Sequence, residues 1–186
     1  MCIRDSICGL AGTAMIGTGL VIWLGKRQLK HVKSGVMPFE LRLVEVLNIA
    51  SMSGLMVAVA AFFWANRLLP VAMAGRADWE VNGFFIVWSL SVLHAVVRRG
   101  RAAWVEQLAL AALLFCAVPL LNALTTPYHL GVTLVQGDWA MAGFDLTCLG
   151  SGLFFAWAAR KMQRAGQAGI VTRPRAKSIA LAQEAP

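Results

Sequence analysis

Cysteine and histidine are scarce in this chain, and their spacing excludes the common metal and redox motifs. Only four cysteines and three histidines occur among 186 residues. No CxxC pair is present, and no His/Cys spacing resembles a zinc site. Cys116 and Cys148 lie in apolar runs and are predicted to be small packing residues. The segment GTGLV at 17–21 is not a GxGxxG motif, so no flavin or nicotinamide signature is found.

Long apolar runs are the dominant feature of the chain. Apolar residues make up 59% of it, and five runs each approach the ~20 residues that a helix needs to cross a bilayer. The runs are continuous rather than alternating, which indicates helices and not strands of a barrel. The sequence therefore predicts an all-α fold, a polytopic membrane helix bundle with about five transmembrane helices. The predicted spans are residues 7–25, 44–66, 81–97, 105–124 and 139–159.

The positive charge is distributed as in a membrane protein. Most of the 17 Lys and Arg residues follow the first, third or fifth span. Because cytoplasmic loops carry the excess of Lys and Arg, the N-terminus is predicted outside and the C-terminus inside. No basic stripe with interleaved aromatic residues lies outside the membrane flanks, which argues against nucleic acid and leaves the lipid bilayer as the expected partner.

The two ends of the chain differ from the predicted bundle at 7–163. Residues 1–6, MCIRDS, resemble translated adapter sequence and are interpreted as a non-native leader. The first run is too long for a signal peptide and lacks a cleavage site, so we expect a C-terminal fragment of a longer protein. Residues 164–186 are rich in Ala, Gly, Arg and Pro without an apolar face, which predicts a disordered cytoplasmic tail.

Polar residues inside the spans are the candidates for function, because each is costly in lipid. With the predicted topology they fall into two layers. The inner layer is predicted to contain Glu45, Asn48, His94 and Glu106. The outer layer is predicted to contain Asn66, Arg67, Asn82, Asn122, Thr125, His129 and Asp145.

Each candidate also has a structural interpretation. Glu45, Glu106 and Arg98 are read as interfacial charges or as part of a site. Asp145, about two turns into the last span, either pairs with Arg67 or joins the bundle through Asn122. His94 is either a hydrogen-bonded packing residue or, as an imidazole on a bundle helix, an axial haem ligand. His129 lies in the predicted outer loop, where it is a second ligand or a substrate contact on the haem hypothesis.

Four segments resemble PepSY-associated transmembrane proteins, and the resemblance covers about residues 9–163. The segments are VEVLNIASMSGLMVAVAAFFWANRLLP (44–70), WEVNGFFIVWSLSVLHA (79–95), EQLALAALLFCAVPLLNALTT (106–126) and HLGVTLVQGDWAMAGFDLTCLGSGLFFAWAAR (129–160). The resemblance implies a bacterial inner-membrane protein connected with iron uptake. Full-length members have further N-terminal helices and a periplasmic PepSY region, and on this resemblance we expect both in the longer protein.

The resemblance implies a cofactor as well. Some members of the wider family are haem-containing reductases that release iron from ferric siderophores, with haem-ligating histidines in their helices. Carried over to this chain, the ligand role falls on His94 and then on His129. A site with two histidines needs a partner for His94, which we expect on a missing helix if His129 does not supply it.

Two functions are consistent with the sequence as hypotheses. In the first, the bundle holds haem and passes electrons to a periplasmic ferric siderophore, with Asn122, Asp145 and His129 shaping the outer face. In the second, the chain is a non-enzymatic membrane anchor or accessory subunit for a periplasmic PepSY domain or a partner protein. The small-residue stripe Gly9, Thr13, Gly17 favours the second, because such stripes allow close helix packing. A transporter would need an internal repeat or paired broken helices, and beyond a kink predicted at Pro119 neither is found.

Overall fold

The protein is built from helices, and the part of the chain that the structure describes contains no strand. The computed structural model describes residues 3–32, 38–98, 100–125 and 139–183, with side chains described as far as Gly166. The helices are α1 (Ile3–Val32), α2 (Phe39–Ile49), a π-helical turn (Ala50–Gly54), α3 (Leu55–Leu68), α4 (Arg76–Arg98), α5 (Gly100–Thr125) and α6 (Trp139–Gln183). Because α2, the π-helical turn and α3 join without a break, they form one long helix over Phe39–Leu68.

Five of these helical segments are long and apolar enough to cross a membrane, which confirms the predicted fold class. Large apolar side chains point away from the bundle, among them Leu113, Leu120, Leu153 and Phe154. An apolar surface of this extent is unfavourable in water and is suited to lipid. The architecture is therefore that of a multi-pass membrane protein.

The helices run beyond the predicted spans at several ends, because the polar ends of a transmembrane helix continue past the hydrocarbon layer. The span predicted at 44–66 is part of a helix over 39–68, and the first helix begins at Ile3, inside the predicted leader. The last helix continues to Gln183. The disordered tail over 164–186 stays a prediction.

Two groups of buried side chains hold the bundle together. Val46, Ile49, Ala95 and Ala103 join α2, α4 and α5. The second group, formed by α3, α5 and α6, is Ala60, Phe115, Val118 and Cys148, with partly buried aromatic residues packed against it. Burial of Cys148 agrees with its predicted packing role.

Helix α5 runs through Pro119, which is buried, from Gly100 to Thr125 without a break. Proline removes one backbone hydrogen bond and disturbs the turn that precedes it. In the preceding part of α5, the indole Nε1–H of Trp64 donates to the Leu114 carbonyl at 3.2 Å. A side chain of α3 therefore binds the backbone of α5 close to the proline.

Helix α1 contributes little to this packing. Only 6% of its apolar window is buried. Its contacts are near its C-terminal half, where Leu24 is buried and a Cβ at Gly17 would lie 3.4 Å from Met52 Cε. At Gly9 and Gly12 a Cβ would meet nothing within 4 Å. The N-terminal half of α1 is thus free of the rest of the described bundle.

Candidate functional site

A tight connection between α4 and α5 brings the most polar part of the chain together. Gly100 has φ of 64°, a left-handed conformation that costs glycine little because it has no Cβ. The chain reverses there, and residues on the last turns of α4 then face the first turns of α5. This end of the bundle carries Arg98, the last residue of α4, and Arg101 in the first turn of α5, and we call it the basic end.

His94 and Arg98 on α4 both bind Glu106 on α5. His94 Nε2 lies 2.9 Å from Glu106 Oε2. Arg98 Nε donates to both carboxylate oxygens at 3.1 and 3.0 Å, and its Nη2 contacts Oε1 as well. The His94 and Glu106 side chains are 36% and 38% exposed, so the cluster sits at the edge of the bundle and not in its centre. The Arg98–Glu106 ion pair and the contact of His94 with the same carboxylate join α4 to α5.

Gln107 connects this cluster to the interior. Its Nε2 donates to the Ser91 carbonyl at 2.7 Å and lies 3.3 Å from His94 Nδ1, and its Oε1 lies 2.8 Å from Ser53 Oγ. An amide NH₂ group has two hydrogens, so both contacts of Nε2 are made together. Gln107 itself is buried, with 3% exposure. One side chain therefore links α4, α5 and the π-helical turn.

Both ring nitrogens of His94 have a polar neighbour. Nδ1 lies 3.3 Å from Gln107 Nε2, and Nε2 lies 2.9 Å from Glu106 Oε2. The imidazole is therefore held from both sides, by the amide of Gln107 and by the carboxylate of Glu106.

The π-helical turn lies against this network. Turns of this kind are rare and interrupt the regular backbone ladder. Trp88 Nε1 donates to the Ala50 carbonyl at 3.1 Å. The Ser53 hydroxyl lies 2.8 Å from both the Ile49 carbonyl and Gln107 Oε1, and its single proton serves one of them at a time. A Cβ on Gly54 would lie 2.9 Å from Ser91 Cβ, so glycine allows the turn to approach α4.

A cleft of about 370 Å³ opens beside the network. His94, Glu106, Gln107 and Ser91 form its polar part, and the rest of the wall is apolar. The volume falls in the range of small-molecule sites, which are mostly apolar with a few polar groups. The polar groups of this cleft already bind one another, so a ligand would have to compete for them.

Glu45 and Asn48 belong to a different cavity. The sequence places them in one inner layer with His94 and Glu106, whereas the structure separates the two pairs. Glu45 and Asn48 line a cavity of about 510 Å³ between α1, α2, α5 and α6, together with Arg101. Their spacing of three residues puts them on one face of α2, as predicted.

Asp145 and Asn122 meet near the opposite end of the bundle. Asn122 Nδ2 donates to Asp145 Oδ1 at 2.6 Å, and the two residues are 4% and 2% exposed. Of the two partners that the sequence left open for Asp145, the structure shows Asn122. The described ion pairs do not include one between Asp145 and Arg67.

Hydrogen bonds among side chains and backbone fix the connection between α3 and α4, at the same end of the bundle as Asp145. Arg76 Nε donates to Glu80 Oε1 at 2.8 Å, its Nη2 donates to the Asn66 carbonyl at 2.5 Å, and Asn66 Nδ2 donates to Glu80 Oε1 at 3.2 Å. Asn82 lies in an open groove on α4, and the Thr125 hydroxyl binds the Leu121 carbonyl of its own helix. Of the predicted outer layer, only Asn122 and Asp145 form a buried pair among the described residues.

Haem is the cofactor that the resemblance implies, and His94 is the described histidine to which it assigns a ligand role. An axial ligand needs a ring nitrogen with a free lone pair. Each ring nitrogen of His94 lies within hydrogen-bond distance of a partner, so ligation would have to displace Gln107 or Glu106. Haem binding stays a prediction. His129 lies outside the described residues, so its role stays a prediction.

Gln107 is the residue of the network that sequence reasoning missed, although it makes the most connections. The sequence did carry a signal for it, because a Gln at the third position of the predicted span 105–124 is a polar group that is costly in lipid. Ser53 and Ser91 carry a weaker signal, because either could have bonded only to its own helix. Arg101 was treated as a topology signal, and the structure places it in the wall of the second cavity.

No protein-family model, no curated protein and no solved structure matches this chain. The resemblance to PepSY-associated proteins accordingly stays a prediction. Function therefore has to be inferred from the geometry of the described residues.

Proposed function

We propose that the chain is a non-enzymatic accessory protein of the bacterial inner membrane that packs through α1 against a transmembrane helix of a partner. The observation that supports this most is the position of α1. It is long and apolar, and yet only 6% of its apolar window is buried against the other helices.

The surface of α1 suits another helix. Gly9 and Thr13 are exposed four residues apart, and a Cβ at Gly9 would meet nothing within 4 Å, whereas Gly17, the next residue of the stripe, lies beside Met52 of this chain. The Thr13 hydroxyl donates to the Gly9 carbonyl at 2.8 Å, so the stripe exposes little polar surface. Small residues let two backbones approach closely, which is how helices associate where no hydrophobic force drives them together.

The polar network agrees with a structural role. His94, Glu106, Arg98 and Gln107 bind one another across α4 and α5, so their hydrogen bonds hold helices in place. Haem-based electron transfer to a ferric siderophore, the other function that the resemblance implies, would require His94 to give up one of these bonds. The accessory function requires no such change.

The proposal is tested by photo-crosslinking in bacterial membranes. A photoreactive residue replaces Thr13 in one variant and Thr18 in the other. Both threonines are exposed and bind a carbonyl of their own helix, and they lie roughly 140° apart around it. We expect a protein adduct of defined mass at position 13 and lipid adducts alone at position 18.

A second substitution strengthens the comparison. Gly9→Leu adds a bulky side chain to the stripe, and Ala11→Leu adds one to the other side of α1, where Ala11 is exposed. The adduct at position 13 should disappear with Gly9→Leu and persist with Ala11→Leu. Equal labelling at positions 13 and 18, or an adduct that survives Gly9→Leu, would refute the proposal.

A spectrum separates the two functions. Purified protein is reduced with dithionite, and its oxidised-minus-reduced visible spectrum is recorded. We expect no haem signal. A Soret band that is lost in His94→Ala and retained in an exposed control such as Gln163→Ala would establish haem at His94 and favour electron transfer over the accessory function.

A further inference from the structure

The cavity at the basic end, lined by Glu45, Asn48 and Arg101, has the features of a ligand site that the helix bundle does not fill itself. It measures about 510 Å³ and lies between α1, α2, α5 and α6. Arg101 is exposed, Glu45 is half-buried and Asn48 is buried, so the cavity leads from the surface into the bundle. Trp104 and Leu108 continue its wall with apolar surface.

Asn48 supplies a hydrogen-bond donor without a partner. The residue is only 5% exposed, and its Nδ2 makes no hydrogen bond. A buried donor left unpaired costs about 1–3 kcal/mol. An acceptor that entered the cavity would recover this free energy, which is why nearly all buried polar groups in proteins are paired.

Glu45 and Arg101 supply opposite charges that form no ion pair with each other among the described residues. Both line the cavity, and neither takes part in an ion pair of the described residues. A Cβ on Gly100 would lie 3.7 Å from Glu45 Oε1, so the carboxylate faces the start of α5. A ligand with one charge of either sign would be attracted by one of these side chains and repelled by the other. A zwitterion would be attracted by both.

We propose that this cavity binds the head group of an aminophospholipid. Glu45 accepts hydrogen bonds from the primary ammonium group, and Arg101 binds the phosphate. Asn48 lies three residues, about 4.5 Å, further into the membrane than Glu45, at the depth of the ester linkage, and donates to an oxygen there. The apolar wall at Trp104 and Leu108 accommodates the first part of an acyl chain.

The location of the cavity supports a lipid over a soluble ligand. The basic residues of the neighbouring segments mark this end as the membrane–water interface. Basic pockets between transmembrane helices at this level bind the phosphates of lipid head groups, which is the part of the head group assigned to Arg101. A lipid also reaches such a cavity sideways from the bilayer, with its chains in the hydrocarbon layer.

Binding of defined lipids to the full-length chain tests the proposal. The protein is purified in detergent, freed of lipid, and titrated by native mass spectrometry with phosphatidylethanolamine, phosphatidylcholine or phosphatidylglycerol of identical chains. The choline head has no N–H to donate to Glu45, and the glycerol head is anionic without a cation. We expect phosphatidylethanolamine to bind about tenfold more tightly than either, as one charge-assisted hydrogen bond implies.

Two variants test whether Glu45 causes the preference for phosphatidylethanolamine. Glu45→Gln should abolish the preference. Glu40→Gln, which changes an exposed carboxylate of the same helix, should preserve it. Equal affinity for the three lipids, or a preference unchanged by Glu45→Gln, overturns the proposal. Displacement of the lipid by soluble phosphoethanolamine at equal concentration overturns the lipid as the source of the head group.

Asn48→Leu provides a test that does not depend on the folding of the Glu45 variant. Leucine has a similar size and removes the unpaired donor, so the lipid-free protein should melt at a higher temperature than wild type. The same variant should lose the extra stabilisation that phosphatidylethanolamine gives the wild type. A lower lipid-free melting temperature, or a retained lipid preference, contradicts the role assigned to Asn48.

Discussion

The contact between α5 and α6 depends on the absence of a side chain at Gly152. A Cβ at this position would lie 2.9 Å from the backbone nitrogen of Cys116 and 3.1 Å from the carbonyl oxygen of Ala112. Non-bonded heavy atoms attract best at separations of about 3.5–4.0 Å, so both contacts are too short by at least ~0.4 Å. Both atoms belong to the α5 backbone and cannot rotate away, and the two helices would have to separate.

Gly152→Ala is therefore expected to destabilise the bundle. Overpacking of this kind costs about 1–3 kcal/mol. The gain in helix propensity on replacing glycine by alanine, up to ~1 kcal/mol, offsets part of it. Gly150→Ala is a matched control in the same helix, because a Cβ there would meet nothing within 4 Å. The propensity gain is common to both variants, and the difference between them isolates the packing cost of about 1–3 kcal/mol.

The free energy of unfolding is measured by titrating the protein in mixed micelles with a denaturing detergent and following helix content by circular dichroism. Gly152→Ala should unfold at a lower detergent fraction than wild type, and Gly150→Ala at the same or a higher one. If the two alanine variants unfold together, then α5 and α6 do not approach each other this closely, and the packing of the whole second core group is in question.

Four further substitutions, at three positions, are expected to lower or preserve stability in the same titration. Gln107→Leu removes three hydrogen bonds, to Ser53, to α4 backbone and to His94, and should cost about 2 kcal/mol at ~0.6 kcal/mol for each bond in a membrane. Trp88→Phe removes only the bond to the π-helical turn and should cost about 0.6 kcal/mol. Asp145→Asn keeps an acceptor for the amide that binds it and should change stability by less than about 1 kcal/mol, whereas Asp145→Leu should cost about 1–2 kcal/mol.

Exposed residues of the same types provide the controls. Gln163→Leu on α6 and Trp79→Phe on α4 change side chains that face outward. Neither should alter the free energy of unfolding by more than a few tenths of a kcal/mol. A loss in Gln163→Leu as large as that in Gln107→Leu would show that the network contributes nothing specific.

Much of the fold could be predicted from the sequence. Continuous apolar runs of about 20 residues are sufficient to predict transmembrane helices, because lipid demands that every backbone group be paired within its own segment. The helix ends were less accurate, as the start of α2 at Phe39 shows, since a helix does not end where the hydrocarbon layer does.

The residues of the site were predicted from the sequence, but the contacts between them were not. Periodicity places Glu45 and Asn48 on one face of α2, and topology places His94 and Glu106 near the same end. Which of them meet depends on helix rotation and crossing, which a single apolar run does not encode. The structure therefore had to show that Glu106 binds His94 and Arg98 and that Glu45 turns to a separate cavity.

Apolar helices suited to a membrane are already encoded in the amino-acid sequence, because hydropathy and backbone pairing are properties of each segment alone. The packed bundle was needed to show that Gln107 both joins the hydrogen-bonding network and binds Nδ1 of His94. It was also needed to show that Asn48 keeps an unpaired amide and that α1 lies apart from the other helices. These features depend on distances of a few ångström between residues far apart in the chain, and such distances are set by how the helices pack.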